Sequence, residues 1–521
     1  MIFPRLHPRI ASLLALAALS VAGATAAESG GAVAGWHVLK PAEFAPFIAK
    51  FNTMEPEGVV NAVPNAQAWS WLKANVPAFE CSDPSTEEIY WFRWWSLRKH
   101  LERDPKTGLW VFTEFITKPR PISSALGHHL METRWLRNPE FSSQYIRYWL
   151  QGNDGRPQTF LHKYSQWLDY ALWQRWLVVQ DTPELTGLVD DLVADYNRWV
   201  AEQGRPDGLF WQYDVRDAME ESISGGRHVK NVRPTINSYM YGNAVAIARI
   251  ARLAGREDLA REFEARAASL RTLVEKTLWN PQLKFFCAVN EKLQPIPVRE
   301  EIGFIPWYFE LPEPGKGYEV AWKQFTDDRG FRAPFGITTA ERRSPQFRSH
   351  GVGHCEWDGA VWPFATSQTL TALQNVLRDY PGAPVTDRDY FDAFETYVHS
   401  QHKAGKPYIG EYLDEKTGAW LKGDNPRSRY YNHSTFADLV ITGIVGLRPR
   451  ADRELDVEPL LPPGTWSWFG LDGVRYHGHD LTILWDRDGT RYHRGAGLTI
   501  LVDGAVAAHR ATLGPLTTLL R

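Results

Sequence analysis

The fold class of this chain is clearest in two adjacent stretches, NSYMYGNAVAIARIARLAG at residues 237–255 and REDLAREFEARAASLRTLV at residues 256–274. In the first part, apolar residues recur every three or four positions, at Met240, Ala244, Ile247 and Ala251. The second part repeats that spacing at Leu259, Phe263, Ala267, Leu270 and Val274. Such spacing lines one face of an α-helix, and Gly255 favours a chain reversal between two helices. The stretch therefore predicts a helical hairpin.

Three further pairs of segments have helical spacing, and strand-like alternation is sparse between about Ala66 and Pro449. The pairs are Ile89–Leu101 with Gly127–Leu136, Ser142–Leu150 with Tyr164–Val179, and Trp357–Leu377 with Tyr390–His402. Repeated hairpins predict a mainly α fold, an (α/α)6 toroid. Because no sequence repeat is visible, an open superhelical solenoid stays an alternative.

The composition changes after Pro449. Leu481–Gly489 and Leu498–Gly504 are β-rich runs, and each ends in an Asp-Gly turn signal. We therefore predict a small C-terminal β-sheet domain over residues 451–521. The rest of the chain divides into a signal peptide at 1–27, a lead-in segment at 28–60 and a helical domain at 61–450.

The N-terminus predicts export. Arg5 and Arg9 precede an apolar run from Ile10 to about Ala22, and the small residues of Ala24–Ala27 follow. This order is typical of a cleaved signal peptide, although an uncleaved anchor is the alternative. We expect a periplasmic or secreted protein without an integral membrane segment after cleavage. The sequence does not set its oligomeric state.

Composition excludes some partners. The 521 residues carry a formal net charge of −3 without a basic stripe, which argues against a nucleic-acid partner. The three cysteines allow at most one disulfide. Cys355 has no Cys/His signature around it, and we interpret it as buried filler.

Two acidic clusters carry the predicted chemistry, Trp211–Ser222 and Gly410–Trp420. Hydrolysis of a glycosidic bond needs one carboxylic acid to protonate the leaving oxygen and one carboxylate to activate water. Both clusters combine acidic residues with aromatic ones, which suit the faces of sugar rings. For the first cluster, the competing interpretation is a solvated acidic helix start that the basic residues after it neutralise.

At these clusters the chain resembles the six-hairpin glycosidases, which include trehalases, processing α-glucosidases and mannosylglycerate hydrolases. The segment Asp217–Ser222, followed by Asn237 and Tyr241, is similar to the segment that carries the general acid of that group. The resemblance implies Glu220 as the acid. Glu220 stands where the group usually has Asp, and Ala218 stands where it usually has Gly. Asp217 and Glu221 therefore stay alternatives for the general acid.

Two later stretches extend the resemblance. Phe335–Glu341 is similar to a turn of that group, and Glu356–Pro363 to the Trp/Asp substrate-contact segment that follows the turn. Gly410–Asp414 is similar to the segment that carries the general base. The resemblance implies Glu411 as that base. It also implies a set of residues that stack on sugar, bind hydroxyls or hold the acids: Trp211, Arg227, Asn237, Tyr241, Trp357, Asp358, Trp362 and Asn432.

We therefore expect an inverting glycoside hydrolase whose catalytic domain is 61–450, with an oligosaccharide or α-linked glycoside as substrate and no cofactor or metal. Its two catalytic carboxyl groups would lie about 6.5–9.5 Å apart. Helical toroids also include polysaccharide lyases and sugar epimerases, which abstract a proton with Tyr or His. In that alternative the central residues would be His128, His354, Tyr241 and His433. A non-catalytic glycan-binding protein is the third possibility.

Overall fold

The computed structural model describes residues 35–117, 120–350 and 355–520. The predicted signal peptide, 1–27, lies outside the described residues, as does the beginning of the lead-in segment. No helix within the described ranges combines the length and the apolar character that crossing a bilayer requires.

Helices dominate the chain between residues 41 and 444. Their bounds are α1 Pro41–Thr53, α2 Ala68–Asn75, α3 Pro84–Arg98, α4 Leu126–Thr133, α5 Glu140–Gln151, α6 Leu168–Val179, α7 Thr182–Gly187, α8 Val189–Gln203, α9 Pro234–Leu253, α10 Glu257–Leu278, α11 Ile305–Tyr308, α12 Pro363–Asp379, α13 Asp387–Ser400 and α14 Ala437–Leu439. A π-helical turn, Val440–Ile444, extends α14.

Short strands lie between the helices, and longer ones follow them. They are β1 Ala78–Cys81, β2 Leu101–Arg103, β3 Trp110–Phe112, β4 Asn231–Val232, β5 Trp279–Asn280, β6 Phe285–Phe286, β7 Val289–Asn290, β8 Arg332–Ala333, β9 Gly336–Ile337, β10 His402–Lys403, β11 Lys406–Pro407, β12 Leu447–Arg448, β13 Glu454–Val457, β14 Trp468–Tyr476, β15 His479–Asp486, β16 Gly497–Val502, β17 Ala505–Arg510 and β18 Leu516–Leu519.

The helices close into a ring. Following the packing contacts, α4 contacts α6, α6 contacts α9, α9 contacts α11, α11 contacts α12, α12 contacts α14, and α14 contacts α4 again. The other long helices pack outside this inner ring, as α10 does on α9 and α13 on α12. The predicted (α/α)6 toroid is confirmed, and the open solenoid is excluded because the last inner element touches the first.

The predicted hairpin at residues 237–274 is confirmed as α9 and α10. Helix α9 begins at Pro234, three residues before the predicted start, because proline at the first turn loses no intrahelical hydrogen bond. Gly255, at φ +70°, makes the reversal. Residues 357–362 were expected to be helical but are extended, since helix α12 begins only at Pro363 and the residue before a proline disfavours helical geometry.

The C-terminal β-rich runs form the predicted sheet. Five antiparallel strands follow the order β1-β14-β15-β16-β17, and Asp503-Gly504 make the tight turn between β16 and β17, both with positive φ. The edge strand β1 comes from residues 78–81, far from the others in sequence. The carboxylate of Asp472 on β14 accepts the backbone N–H groups of His37, Val38 and Leu39. The N-terminal segment thus ties the sheet to the helices.

Packed aromatic rings block the middle of the helical ring. The ring centroid of Trp167 lies 4.7 Å from that of Tyr239, and His128 lies 4.4 Å from Phe364 and 5.0 Å from Trp167. We call Trp167, Tyr239, His128 and Phe364 the aromatic plug; all four are buried. The aromatic plug therefore separates the two ends of the toroid.

Candidate active site

A pocket opens at the end of the ring where the inner helices begin. Segments that precede α4, α6, α9, α12 and α14 all contribute to it. Its lining comprises Glu114, Ile122, Ser124, Tyr164, Ala218, Glu220, Cys355, Trp357, Trp362, Phe364, Glu411, Arg427, Tyr431 and His433. The two predicted catalytic glutamates, from distant parts of the sequence, therefore meet in one pocket.

Glu220 lies on the turn that leads to α9, and its side chain is half-buried in the pocket. Burial raises the pKa of this carboxyl to about 7, and the negative charge of Glu411 adds to the increase. The cations Arg227 and Lys422 oppose the shift without cancelling it. A large share of Glu220 is therefore protonated near neutral pH, as a general acid requires.

The other two acidic residues of this cluster are engaged elsewhere. Asp217 is buried and accepts a hydrogen bond from Nε of Arg233 at 2.7 Å and another from the Thr235 hydroxyl. Glu221 pairs with Arg227, whose Nη1 lies 2.6 Å from Oε1. Neither belongs to the pocket lining. The geometry thus favours Glu220 over both alternatives as the residue that faces a substrate.

The turn that carries Glu220 is held by side chains behind it. The carboxylate of Asp214 accepts hydrogen bonds from the Ser222 hydroxyl at 3.1 Å and the Arg227 backbone N–H at 2.8 Å. Gly225 packs so closely that a Cβ there would lie 2.4 Å from the Asp214 carboxylate. Together with the Arg233–Asp217 pair, these contacts fix the direction of Glu220.

Glu411 has a different environment, although it is also buried. Its Oε2 lies 3.3 Å from Nζ of Lys422 and accepts a hydrogen bond from the Ser428 hydroxyl at 3.1 Å. Its Oε1 accepts a weak bond from Sγ of Cys355 at 3.6 Å. The Glu411 carboxyl thus has an ammonium group and two hydrogen-bond donors at its oxygens, whereas the Glu220 carboxyl is distinguished by its burial.

Cys355 is a correction to the sequence analysis, which interprets it as filler. It is half-buried and lines the pocket, where its thiol contacts Glu411 and accepts a bond from Nζ of Lys422 at 3.3 Å. Burial raises the pKa of this thiol to about 12, so it stays protonated and able to donate. No local pattern reveals this position, because its partners Glu411 and Lys422 lie more than fifty residues further along the chain.

Three aromatic rings are stacked beside the two glutamates. The centroids of Trp357 and Trp362 lie 4.4 Å apart, and Trp362 stacks on Tyr412 at 4.5 Å. Nε1 of Trp362 donates to the Glu356 carbonyl at 2.7 Å, whereas Nε1 of Trp357 is buried without a hydrogen-bond partner among the described residues. The predicted pair of tryptophans does lie in the pocket, with one free donor available.

Comparison with known proteins identifies the family. Residues 118–434 match the family described as mannosylglycerate hydrolase MGH1-like glycoside hydrolase domain, and this match covers more than half of the chain. This chain belongs to that glycoside hydrolase family. Residues 447–508 match the C-terminal domain of glycosyl hydrolase family 65, which fits the position of the β-sheet.

Solved structures support the same fold for this glycoside hydrolase chain. A structure named sialidase is 51% identical, with a TM-score of 0.90 over 92% of this chain, but the chain spans only 45% of that protein. A GH63 mannosylglycerate hydrolase from Thermus thermophilus in complex with glucose is 15% identical, with a TM-score of 0.54 over 68% of this chain and 99% of that one. A GH78 rhamnosidase from Bacillus sp. GL1 is 13% identical, with a TM-score of 0.58, covering 82% and 41%. The last two show the fold alone.

Glu114 is a pocket carboxyl that the sequence analysis does not identify. It is buried next to Ser124, whose hydroxyl lies 3.5 Å from Oε1. Burial raises the pKa of Glu114 to about 8, and the charges of Glu411 and Glu220 contribute to the shift. The backbone N–H of Asn432 donates to the Glu114 carbonyl at 3.0 Å. This long-range contact helps to place Glu114 in the pocket, and no local motif marks the residue.

Some predicted substrate contacts lie outside the lining of the pocket. Trp211 packs against Tyr213 and under Lys230, whose Nζ lies 4.2 Å from its ring. Asp358 pairs with Arg348, Nη2 to Oδ2 at 2.5 Å. The side chain of Asn432 donates to the Thr113 carbonyl at 3.1 Å. Asn432 therefore holds its neighbours Tyr431 and His433 in the lining and need not bind sugar itself.

Asn237 and Tyr241 correct the prediction more strongly. The side chain of Asn237 exchanges hydrogen bonds with the Phe210 backbone, N–H and carbonyl both at 2.9 Å, so its amide is already used. The Tyr241 hydroxyl accepts a bond from Arg271 and lines a different cavity. Tyr241 lies about 10 Å along α9 from Pro234, because each helical residue rises about 1.5 Å. It therefore faces the opposite end of the ring.

The residues named for the lyase or epimerase alternative are dispersed. His433 lines the pocket and His128 belongs to the aromatic plug; burial lowers the pKa of both well below the ordinary value. His354 lies outside the described residues, and Tyr241 is at the other end. Within residues 35–117, 120–350 and 355–520, no group of three or more His, Cys, Asp or Glu side chains is arranged to hold a metal ion.

Ala218 supplies a testable sign of backbone strain next to the acid. Its φ is 62°, the left-handed region in which a Cβ costs about 1–2 kcal/mol, and the resemblance places glycine here in related enzymes. Ala218→Gly is expected to raise the free energy of unfolding by up to about 1 kcal/mol, since the relief exceeds the extra chain entropy of glycine. Urea unfolding measures this.

The matched control for that change is Ala265→Gly, at an exposed alanine in the interior of helix α10. It is expected to lower the free energy of unfolding by about 0.5–1 kcal/mol. Equal destabilisation by the two substitutions would contradict the assignment of strain to Ala218.

Proposed function

We propose that this chain is an exported glycoside hydrolase that cleaves an α-linked O-glycosidic bond with inversion of the anomeric configuration. The observation that carries the proposal is the pairing of Glu220 and Glu411 in one pocket under opposite influences. One carboxyl has its pKa raised to about 7 by burial, and the other has an ammonium group 3.3 Å away. Acid and base catalysis require two carboxyls in different environments, and the surroundings of these two differ.

In the proposed reaction Glu220 donates its proton to the glycosidic oxygen as the bond to the anomeric carbon breaks. Glu411 removes a proton from a water molecule that attacks the opposite face of the same carbon. At the end Glu220 is ionised and Glu411 is protonated, and proton exchange with solvent resets both. The proposed separation of the carboxyl groups, about 6.5–9.5 Å, leaves room for that water.

The remaining side chains of the lining are proposed to bind the sugar. Trp357 offers its unpartnered Nε1 as a donor to a hydroxyl, and the Trp357–Trp362 stack forms an apolar wall. Glu114, with a pKa near 8, would be largely protonated at neutral pH and so able both to donate and to accept. Arg427, exposed at the pocket, is available to orient a hydroxyl.

Several finer parts of the proposal rest on different grounds. Family membership and the resemblance to trehalases and processing α-glucosidases support an α-linked substrate. The order of charged, apolar and small residues over 1–27 supports export to the periplasm or medium.

The sialidase structure raises a second candidate, cleavage of a sialoside, because it is 51% identical. This chain corresponds to 45% of that protein, so the activity in its name need not lie in the shared part. Arg427 is the one arginine in the described lining of the pocket. A sialoside carboxylate would have that single lining guanidinium to pair with, and we therefore favour a neutral glycoside.

The test is product analysis with the purified protein on a panel of α-linked disaccharides, glycans and a sialoside, followed by proton NMR from the first minute. We expect a released sugar whose first anomer is β, which then mutarotates. A first anomer that retains the α configuration would refute inversion. Unsaturated or epimerised products would move the assignment to a lyase or epimerase, and release of sialic acid would establish the second candidate.

A further inference from the structure

A second cavity lies at the end of the ring opposite the catalytic pocket. It has a volume of about 290 Å³ and is lined by residues from α4, α6, α9, α10 and α12 and by the π-helical turn after α14. The lining residue Thr371 lies about 12 Å along α12 from Pro363, where the catalytic end begins. The aromatic plug fills the space between the two ends. A molecule in this cavity therefore does not touch Glu220 or Glu411.

Arginine dominates the charge of this cavity. Five arginines line it, against the two acidic residues Glu310 and Asp438: Arg134, Arg249, Arg271, Arg378 and Arg448. We call it the arginine cavity. An excess of guanidinium groups in a concave site creates a positive potential that attracts anions.

Some of these arginines have structural partners. Arg134 forms an ion pair with Asp438 at 2.7 Å. Arg448 forms ion pairs at 3.1 Å with Asp379 and at 3.0 Å with Glu458, two carboxylates that do not line the cavity. Arg378 donates to the Thr442 carbonyl at 2.7 Å and the Glu458 carbonyl at 2.8 Å. These three guanidinium groups stabilise the ends of helices, and part of their hydrogen-bonding capacity is therefore already in use.

Arg249 and Arg271 differ from the others. In the part of the chain that the structure describes, neither lies within ion-pair distance of a carboxylate. Arg271 donates to the Tyr241 hydroxyl and, at 3.4 Å, to the Glu310 carbonyl, and its Nε is buried without a hydrogen-bond partner. Arg249 is exposed at the mouth of the cavity, with its guanidinium 5.6 Å from the ring of Trp173.

We propose that the arginine cavity binds a small anion, with its carboxylate or phosphate group held between Arg249 and Arg271. Guanidinium groups present several donors in a plane, which match the oxygens of these two groups. The neutral side chains nearby are already engaged: Asn375 donates to the carbonyls of Trp307 and Tyr308, at 3.0 and 3.1 Å. Charge is therefore the main recognition element. The proposal is independent of the hydrolase activity.

The experiment is isothermal titration calorimetry of the full chain at low salt with sodium phosphate and with D-glucuronate. D-glucose serves as the neutral ligand. Three variants are compared with the wild type: Arg249→Gln, Arg271→Gln and, as a matched control, Arg261→Gln. Arg261 lies on the same helix as Arg271 but is exposed outside the cavity. Thermal unfolding verifies the fold of Arg271→Gln, which loses the bond to Tyr241.

We expect at least one of the two anions to bind, and the tighter one identifies the preferred group. Kd should rise about tenfold or more in Arg249→Gln and in Arg271→Gln, because a hydrogen bond to a charged group is lost. It should stay within about twofold of wild type in Arg261→Gln, since exposed charges at a distance are screened. D-glucose should not displace the anion.

Three outcomes would overturn the proposal. One is that neither anion binds at millimolar concentration. Another is binding that the Arg249 and Arg271 substitutions leave unchanged, which would place the anion elsewhere, for example at Arg427. The third is an equal loss in Arg261→Gln, which would show an effect of net charge and not of a site.

Discussion

Replacing Glu411 with glutamine is expected to lower kcat/KM by about 10²–10⁴-fold on a glycoside that the wild type cleaves, the usual contribution of a general base. Glutamine keeps the size of the side chain but cannot remove a proton from water. It can still accept hydrogen bonds from Ser428 and Lys422, so the pocket should keep its shape. Steady-state kinetics measures the loss, and titration with the product sugar measures binding.

The matched control is Glu415→Gln, the same chemical change four residues further on. The buried carboxylate of Glu415 accepts a hydrogen bond from the Ser349 hydroxyl, and Glu415 does not line the pocket. It is expected to keep kcat/KM within a few-fold of wild type. If Glu411→Gln retained most of the activity while folding normally, Glu411 would be removed from the mechanism. If it lost product binding as well, its role would be in binding and not in activating water.

Replacing Glu220 with glutamine is expected to produce a loss that depends on the leaving group. For a sugar leaving group, kcat/KM should fall by about 10²–10⁴-fold, because the departing alkoxide needs a proton. For an aryl glycoside with an acidic phenol, which leaves without assistance, the loss should be much smaller. Glu411→Gln should be equally impaired on both substrates. Comparing the two variants on the two substrates therefore assigns acid and base separately.

The pH profile tests the same assignment. A general acid must be protonated, so activity on an alkyl glycoside should fall as pH rises through about 7, the pKa that burial and Glu411 give to Glu220. This decline should vanish in Glu220→Gln. Glu221→Gln, the matched control, should retain the decline because Glu221 is paired with Arg227 outside the lining. A profile that stays flat well above pH 7 in the wild type would argue against Glu220 as the acid.

The helical architecture could be predicted because its signal is local. In α9 and α10 the apolar spacing of 237–274 coincides with the faces that become buried, so a short window of sequence carries the information. The β-rich tail was likewise visible, since Asp503-Gly504 favour a tight turn in any context. The prediction was wrong for residues 357–362, which have no periodic signal. They were predicted to be part of a helix but are extended, and Val361 pairs with Leu413 and Thr338.

The candidate site could be predicted only in part. Glu220, Glu411, Trp357 and Trp362 occur in recognisable clusters, and all four line the pocket. The resemblance implies Tyr241 as a substrate-binding residue, but a helix carries each later residue away from its start. Tyr241 therefore belongs to the arginine cavity. Glu114 was missed because the neighbour that fixes it, Asn432, is more than three hundred residues away.

Local sequence is enough to specify the hairpins, the β-rich tail and the two acidic clusters, because helical periodicity, turn chemistry and residue type are properties of short segments. Which carboxyls meet, and how far the pKa of Glu220 rises, depends on the three-dimensional fold. The pKa of Glu220 depends on burial and on the charge of Glu411, and Glu221 is withdrawn by Arg227. Burial and Coulomb interactions depend on distance in space, and closing the ring of helices is what brings these groups together.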